Sequence, residues 1–118
     1  MAPLKLSLTV YQGATFRRVI TWSAGTPAVP VSLVGCTARM QVREKLDAPA
    51  VLLELTTENS RIVLGGLAGT VTLVLTAAET EALTWRSGVY DLEIEFPSGD
   101  VRRLLAGTVR VVPEVTRD

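Results

Sequence analysis

Residues 88–96 read Gly-Val-Tyr-Asp-Leu-Glu-Ile-Glu-Phe, and their pattern is a strong indicator of the fold. Its large apolar side chains, from Tyr90 to Phe96, alternate with charged ones, which is the period of a β-strand with one buried and one exposed face. Residues 36–43, Cys-Thr-Ala-Arg-Met-Gln-Val-Arg, alternate in the same way. We therefore predict two half-buried strands, with Leu92 and Met40 facing the interior.

The same period recurs along the rest of the chain. It predicts further strands over residues 4–11, 15–22, 51–55, 61–64, 70–75 and 101–112, with a short edge strand at Val31–Leu33. The consecutive residues Arg17 and Arg18 break the alternation and allow either a β-bulge or an early strand edge there. Seven or eight short strands, with turn residues about every 8–12 positions, are typical of an antiparallel sandwich or barrel.

One segment has a helical signature instead. Thr76-Ala77-Ala78-Glu79 is a capping box, in which the Thr76 hydroxyl accepts from the Glu79 main chain and the Glu79 carboxylate reaches back. The residues that follow favour a helix, so we predict one short helix at about residues 76–83.

Tyr90 lies just after this helix, at the start of the penultimate strand. Immunoglobulin-type sandwiches place a structural tyrosine there, two residues before an inward position that is Leu92 in this chain. We predict an all-β immunoglobulin-like sandwich in which the Tyr90 hydroxyl ties the helical connection to the strand and Trp22 belongs to the core. Residues 1–113 form one domain, and residues 114–118 form a polar tail.

Composition excludes several kinds of chemistry. The 118 residues include no His and one Cys, Cys36, so neither a Ser-His-Asp unit nor a Cys/His zinc site can form. We predict that the protein is not an enzyme and binds no metal or cofactor. Lys and Arg total 12, as do Asp and Glu, so no net charge attracts nucleic acid. No apolar stretch approaches the ~18 residues of a membrane span, and we expect no membrane partner.

Asp91, Glu93 and Glu95 form an acidic row on one face of the predicted strand. Such a row can supply a glycosidase acid/base pair or a calcium site. Cross-strand ion pairs are the favoured interpretation, because arginines occur on both neighbouring strands. These arginines are Arg39, Arg43, Arg102, Arg103 and Arg110. The glycine-rich residues 65–69 lead from strand to strand and lack a phosphate-gripping Lys, so they are predicted to be a turn.

The apolar content needs a second explanation. Hydrophobic residues reach 47%, although aromatic residues are only 5%, so the core is aliphatic. We predict that part of the apolar excess forms contacts with other subunits. Trp85, beside a turn, is the aromatic residue expected to contact a partner.

Several blocks together resemble a known group of proteins: residues 13–17, Gly-Ala-Thr-Phe-Arg; residues 33–43; residues 53–59; residues 88–93; and residues 98–109. The chain is similar to small proteins encoded in the structural-gene clusters of tailed bacteriophages and prophages. It also resembles the immunoglobulin-like N-terminal domain of phage baseplate upper proteins. The resemblance covers about residues 10–115 and consists of strand and turn patterns, with no catalytic residues to transfer.

The resemblance implies a non-enzymatic virion structural protein of the tail, baseplate or tail–head region. Such a protein is used in many copies, is assembled in the host cytoplasm, and contacts other phage structural proteins and copies of itself. A capsid decoration protein is one alternative. A module that binds a host-surface glycan or protein is another, and an enzyme is the least favoured.

Overall fold

The computed structural model describes residues 3–116, whose strands form two main sheets packed face to face. The described residues contain eleven strands and one α-helix, so the predicted all-β sandwich with one short helix is confirmed. The strands are β1 (Leu4–Lys5), β2 (Leu8–Tyr11), β3 (Phe16–Thr21), β4 (Ser23–Ala24), β5 (Val29–Pro30), β6 (Thr37–Arg43), β7 (Leu53–Thr56), β8 (Ile62–Leu64), β9 (Thr70–Leu75), β10 (Ser87–Glu95) and β11 (Val101–Val112), and the helix is α1 (Ala77–Glu81).

The larger sheet has the order β1–β11–β10–β6–β7, and β2 also pairs with β11. Strand β10 is central and antiparallel to both of its neighbours, as the alternation of residues 88–96 predicts. Leu92 lies opposite Leu105 on β11 and Met40 on β6. All three side chains are buried, so the centre of this sheet forms one wall of the core.

The N-terminal segment differs from the single strand predicted over residues 4–11. It forms β1 and β2, which both pair with β11 in parallel, whereas the other pairings among the described residues are antiparallel. Leu4 lies opposite Leu105 and Leu8 opposite Val109, so the register is the same on both sides of the interruption. The chain bends between the two strands without slipping along β11.

The smaller sheet has the order β3–β9–β8. Strand β3 pairs with β9 in an unbroken register from Phe16–Leu75 to Thr21–Thr70, so of the two alternatives for Arg17–Arg18 the bulge is wrong, and β3 lies at a sheet edge. Both arginines are exposed because β3 lies at the edge of its sheet, where even a side chain on the inner face reaches solvent.

The register irregularity occurs instead between β10 and β11. Leu92 pairs with Leu105 and Glu93 with Arg103, which leaves Leu104 as an extra residue on β11. A bulge lets two successive side chains point to one face. Leu104 and Leu105 are both buried as a result.

The long connection after β3 folds into a separate hairpin. Strands β4 and β5 pair through Ser23–Pro30 and Ala24–Val29, so the edge strand predicted at Val31–Leu33 is wrong. The main-chain N–H of Val31 donates to the Trp22 carbonyl, whereas the main-chain N–H of Leu33 donates to the Gly66 carbonyl in another loop. A segment whose successive bonds go to different partners cannot form a regular ladder.

Aliphatic side chains dominate the core, as the composition predicts. Val42 and Ile94 from the larger sheet and Val71 and Leu73 from the smaller one are fully buried. Trp22 is also buried, in agreement with its predicted place in the core. Within residues 3–116, no helix is both long and apolar enough to cross a bilayer. Residues 117 and 118 of the predicted tail, and residues 1 and 2 of the predicted domain, lie outside the described part of the chain.

Candidate interaction surfaces

The outer face of the larger sheet carries ion pairs between neighbouring strands. Arg39 Nε lies 3.0 Å from Glu93 Oε1, and Arg103 Nε lies 3.5 Å from Asp91 Oδ2. These four residues lie opposite one another or nearly so in the strand register. The arginine side chains are 67% and 54% exposed, so each pair contributes at most ~1 kcal/mol. Two of the predicted cross-strand pairs therefore exist.

Among the described residues, the other three predicted arginines form no ion pair with the acidic row. Arg43 Nη1 donates to the carbonyls of Ala48 and Pro49, both at 2.9 Å, and so holds the loop after β6. Arg102 lies opposite Ile94, on the face opposite to that of Arg103, because successive strand residues alternate. Arg43 lies opposite Val89 and Arg110 opposite Ser87, so both share the face of Asp91, and Arg102 alone of the five predicted arginines lies on the other face.

A groove of about 540 Å³ runs over this charged face. Arg39, Arg43 and Arg103 line it together with Asp91 and Glu93, and the loop residue Leu46, which is 89% exposed, stands beside it. Asp91 and Glu93, which would act in a glycosidase or calcium site, thus form ion pairs with Arg103 and Arg39. Among residues 3–116, no group of three or more His, Cys, Asp or Glu is arranged to hold a metal ion.

Tyr90 is buried and fastens the N-terminal segment to the sandwich. Its hydroxyl donates a 2.7 Å hydrogen bond to the carbonyl of Leu6, between β1 and β2. Burial raises the pKa of Tyr90 to about 12. The predicted tie to the helical connection is wrong, because the acceptor belongs to the opposite end of the chain.

Gly107 provides the space for this bond. It lies opposite Tyr90 on β11, and a Cβ at this position would overlap the Leu6 carbonyl oxygen. The Leu6 N–H donates to Ala106 at 3.0 Å, so Leu6 passes directly against β11. No sequence pattern indicates this role, since Gly107 lies within an apolar strand segment.

The capping box predicted from the sequence is present in α1. The Thr76 hydroxyl accepts from the Glu79 N–H at 3.1 Å, and the Glu79 carboxylate accepts from the Thr76 N–H at 2.8 Å. The Glu79 carboxylate also pairs with Arg61, which donates to the Glu54 carbonyl. The hydrogen bond from the Thr76 main chain is the main cause that lowers the pKa of Glu79, and Arg61 adds to it. The helix is shorter than predicted, with Ala82 as its C-cap.

Thr80, which the sequence did not single out, attaches α1 to the start of β3. It is fully buried; its hydroxyl donates to the Ala14 carbonyl at 2.8 Å and accepts from the Gly13 N–H at 3.0 Å. The side-chain amide of Gln12 donates to the Leu83 carbonyl at 2.9 Å. The sequence signal for this role of Thr80 is a polar residue on the buried side of a short helix.

Three loops meet at one end of the sandwich, and we call residues 22–36, 65–69 and 96–100 the loop end. Leu33 N–H donates to the Gly66 carbonyl at 2.9 Å, and Trp22 N–H donates to the Gly69 carbonyl at 2.8 Å. Gly69 has a φ of 69°, and a Cβ there would lie 2.7 Å from the Trp22 carbonyl oxygen. The loops are therefore fastened to each other by main-chain contacts. The sequence prediction that residues 65–69 form a turn agrees with this geometry.

The loop end presents apolar side chains to solvent. Val34 is 60% exposed and Leu67 is 76% exposed. They belong to adjacent loops, since a Cβ on Gly66 would lie 3.7 Å from Val34 Cγ2. Pro97 lies beside Val34, with its Cγ 2.9 Å from a Cβ built on Gly35. The sequence offered one signal, namely apolar residues inside glycine-rich turns.

A pocket of about 310 Å³ opens beside these residues. Trp22 and Phe96 line it, with ring centroids 5.9 Å apart and planes tilted by 60°. Ser98, Asp100 and Arg102 add polar groups to the lining. Trp22 is 8% exposed, so the pocket offers little indole surface for stacking.

Trp85 is partly buried and packs against the core. Its indole N–H is buried, and no acceptor for it lies within residues 3–116. Buried indole N–H groups usually have a partner, so this donor is an exception. The polar edge of the Trp85 ring thus faces the interior. The partner contact through Trp85 stays a prediction.

Comparison with known proteins supports the fold. No protein-family model and no curated protein matches the sequence. A crystal structure of chicken TCR matches with a TM-score of 0.55 and 12% identity, over 98% of this chain and 57% of that one. The chain has an immunoglobulin-like fold. This chain therefore spans somewhat more than half of the matched chain, and at 12% identity the likeness is one of fold alone.

Proposed function

We propose that the protein is a non-enzymatic structural component of a tailed-phage particle, used in many copies in the tail, baseplate or tail–head region. The observation that carries this proposal is the pair Val34 and Leu67, exposed on loops that main-chain contacts hold in place. The resemblance of the sequence blocks to phage structural proteins supplies the setting.

Exposed apolar side chains on a rigid support favour association. Water covers Val34 and Leu67 in the free protein, and burial against a neighbour yields roughly 25 cal/mol for each Å² of apolar surface removed from water. Little conformational entropy is lost when the loops are already ordered. The loop end therefore suits a repeated contact between subunits better than it suits turnover of a substrate.

Capsid decoration uses the same physical features, so the two locations differ only in the neighbour. A host-surface binding module is the second candidate, and the pocket beside Trp22 and Phe96 favours it because Asp100 and Arg102 could orient a polar ligand. The small exposed area of Trp22 argues against sugar stacking there.

Localisation in purified particles tests the proposal. We expect the protein to be present in many copies per particle and to be labelled on the tail or baseplate by a specific antibody. Labelling of the capsid alone would favour decoration. Absence of the protein from particles would contradict the proposal.

Two leucine substitutions make the test specific to the loop end. Leu67→Asp should abolish incorporation into particles, because it places a charge in the proposed contact. Leu46→Asp is the matched control, since Leu46 is 89% exposed in a loop on another part of the surface. Both variants should fold, as neither side chain is buried. Equal incorporation of the two variants would exclude the loop end as the contact.

A further inference from the structure

We infer that the open edge of β3 is a docking site for an acidic β-strand from a neighbouring, chemically different subunit. The inference rests on the proposed assembly role and names the kind of partner for it. It concerns an edge of the smaller sheet and not the loop end.

The hydrogen-bond ladder shows which main-chain groups of β3 are open. Among the described strands, β3 pairs with β9 alone. The bond from Trp22 N–H to the Gly69 carbonyl continues that register and identifies Trp22–Gly69 as a bonded pair. Bonded and non-bonded pairs alternate in an antiparallel ladder, so Arg17, Val19 and Thr21 direct their N–H and C=O groups away from β9. The edge thus offers a row of groups that a further strand would pair with.

The side chains of β3 specify the charge of that strand. Arg17 and Arg18 are exposed, and neither has an acidic group within 4.0 Å in residues 3–116. Val19, between them and Thr21, is 49% exposed. A second copy of β3 would bring four arginines together, and like charges on paired strands are unfavourable. An extended segment rich in acidic residues is complementary in charge to this edge.

The edge of the larger sheet at β7 provides a contrast. Asn59 Oδ1 accepts from the Thr56 N–H at 2.9 Å, and Asn59 Nδ2 donates to the Glu54 carbonyl at 3.0 Å. Arg61 Nη1 donates to the same carbonyl at 2.9 Å. Side chains thus occupy outward groups of β7, which protects an edge against pairing. Among the described residues, no comparable side-chain bond to the main chain of Arg17, Val19 or Thr21 occurs, so the β3 edge is unprotected.

A synthetic peptide tests this directly on the full chain. The probe is acetyl-Glu-Val-Glu-Val-Glu-Val-Glu-amide, with the matching Lys-Val peptide and a Glu-Val peptide carrying Pro at its central position as controls. We expect the acidic peptide to bind and to slow amide hydrogen exchange at Arg17, Val19 and Thr21 by at least tenfold. The Lys-Val and Pro peptides should bind at least tenfold more weakly, because they lack the charge and the central N–H respectively.

Variants of the protein separate charge from main-chain pairing. Arg17→Glu combined with Arg18→Glu should weaken binding at least tenfold, whereas Arg110→Glu, an exposed arginine on β11, should leave it unchanged. Val19→Pro removes an N–H that β9 does not use and should also abolish binding. Thermal unfolding of each variant checks that it is folded. Tight binding of the Lys-Val peptide, or absence of protection at β3, would overturn the inference.

The remaining outcomes distinguish this inference from the proposed function. Protection at β3 that rises with protein concentration, without peptide, would show a second copy as the occupant and would overturn the inference. If the peptide does not bind and the protein is still found in particles, the edge inference alone fails. If the peptide binds and the protein is absent from particles, the phage assignment fails and the edge site stands.

Discussion

The Tyr90 hydroxyl donates to the carbonyl of Leu6, 84 residues earlier in the chain, at 2.7 Å. The bond joins the centre of the larger sheet to the point where the N-terminal strand is interrupted. Because β1 and β2 keep the same register on β11, the interruption turns one carbonyl toward Tyr90 without shifting the pairing. A side chain that the sequence predicted at a local corner thus makes a long-range contact with the N-terminal segment.

Removal of this hydroxyl should lower stability modestly. We expect Tyr90→Phe to reduce the free energy of unfolding by about 1 kcal/mol, the usual net contribution of one buried hydrogen bond. Urea denaturation followed by Trp fluorescence measures the change. Incorporation into particles should be unaffected, because the Tyr90 side chain is buried and its hydroxyl bonds to Leu6 inside the protein. An unchanged free energy of unfolding would remove the structural role of the bond.

Alkaline pH should weaken the fold through the same residue. The pKa of Tyr90 is raised by burial from an ordinary value of 10.0 to about 12. A raised pKa means that its contribution is complete below pH 10 and is lost as pH rises toward 12, because the unfolded chain releases the proton first. We expect about 2–3 kcal/mol to be lost across this window.

Denaturation at several pH values between 9 and 12 measures this loss. Tyr90→Phe should lack the decline, whereas Tyr11→Phe, at an exposed tyrosine, should retain it. The same decline in wild type and Tyr90→Phe would mean that another group causes it.

Gly107 and Tyr90 should act on the same contact. Gly107→Ala puts a methyl group against the Leu6 carbonyl oxygen, and we expect it to destabilise the protein by about 1–3 kcal/mol. The N-terminal strand then has to move, so the Tyr90–Leu6 bond is lost as well. The double variant Gly107→Ala/Tyr90→Phe should therefore cost less than the sum of the single changes. Denaturation of all four proteins completes the cycle, and strict additivity would contradict a shared contact.

Much of the fold follows from alternation in the sequence. The strong period of residues 36–43 and 88–96 predicted β6 and β10 to within a residue or two, because one face of each strand is buried and the other is solvated. Arg18 interrupts the alternation although β3 has no bulge there, because the inner face of an edge strand can carry an exposed side chain. The bulge at Leu104 was not predicted, because apolar pairs such as Leu104–Leu105 are also common in strands that have no bulge.

The interaction surfaces were less accessible to sequence reasoning. Val34 and Leu67 are 33 positions apart and become neighbours only through loops, so no period connects them. The edge of β3 is open because the N-terminal strand pairs with β11 and not with β3. Strand period alone does not select between these two long-range partners. The acidic row was easier to predict, because Asp91 and Glu93 follow directly from the strand period, although only two of the five arginines form ion pairs with it.

The capping box of α1 should make the helix sensitive to acid. Thr76→Ala removes the hydroxyl that accepts from Glu79 N–H and should cost about 1 kcal/mol.

Glu79→Gln removes the carboxylate that pairs with Arg61, and the pKa of Glu79 is lowered below its ordinary 4.5. A lowered pKa means that the contribution is present above pH 4.5 and is lost as pH falls through the folded-state value. The stability difference between wild type and Glu79→Gln, measured by denaturation from pH 7 to pH 3, should therefore shrink toward acid. Glu81→Gln in the same helix is the matched control and should show no such convergence; equal behaviour of the two variants would assign the effect to helix charge and not to the box.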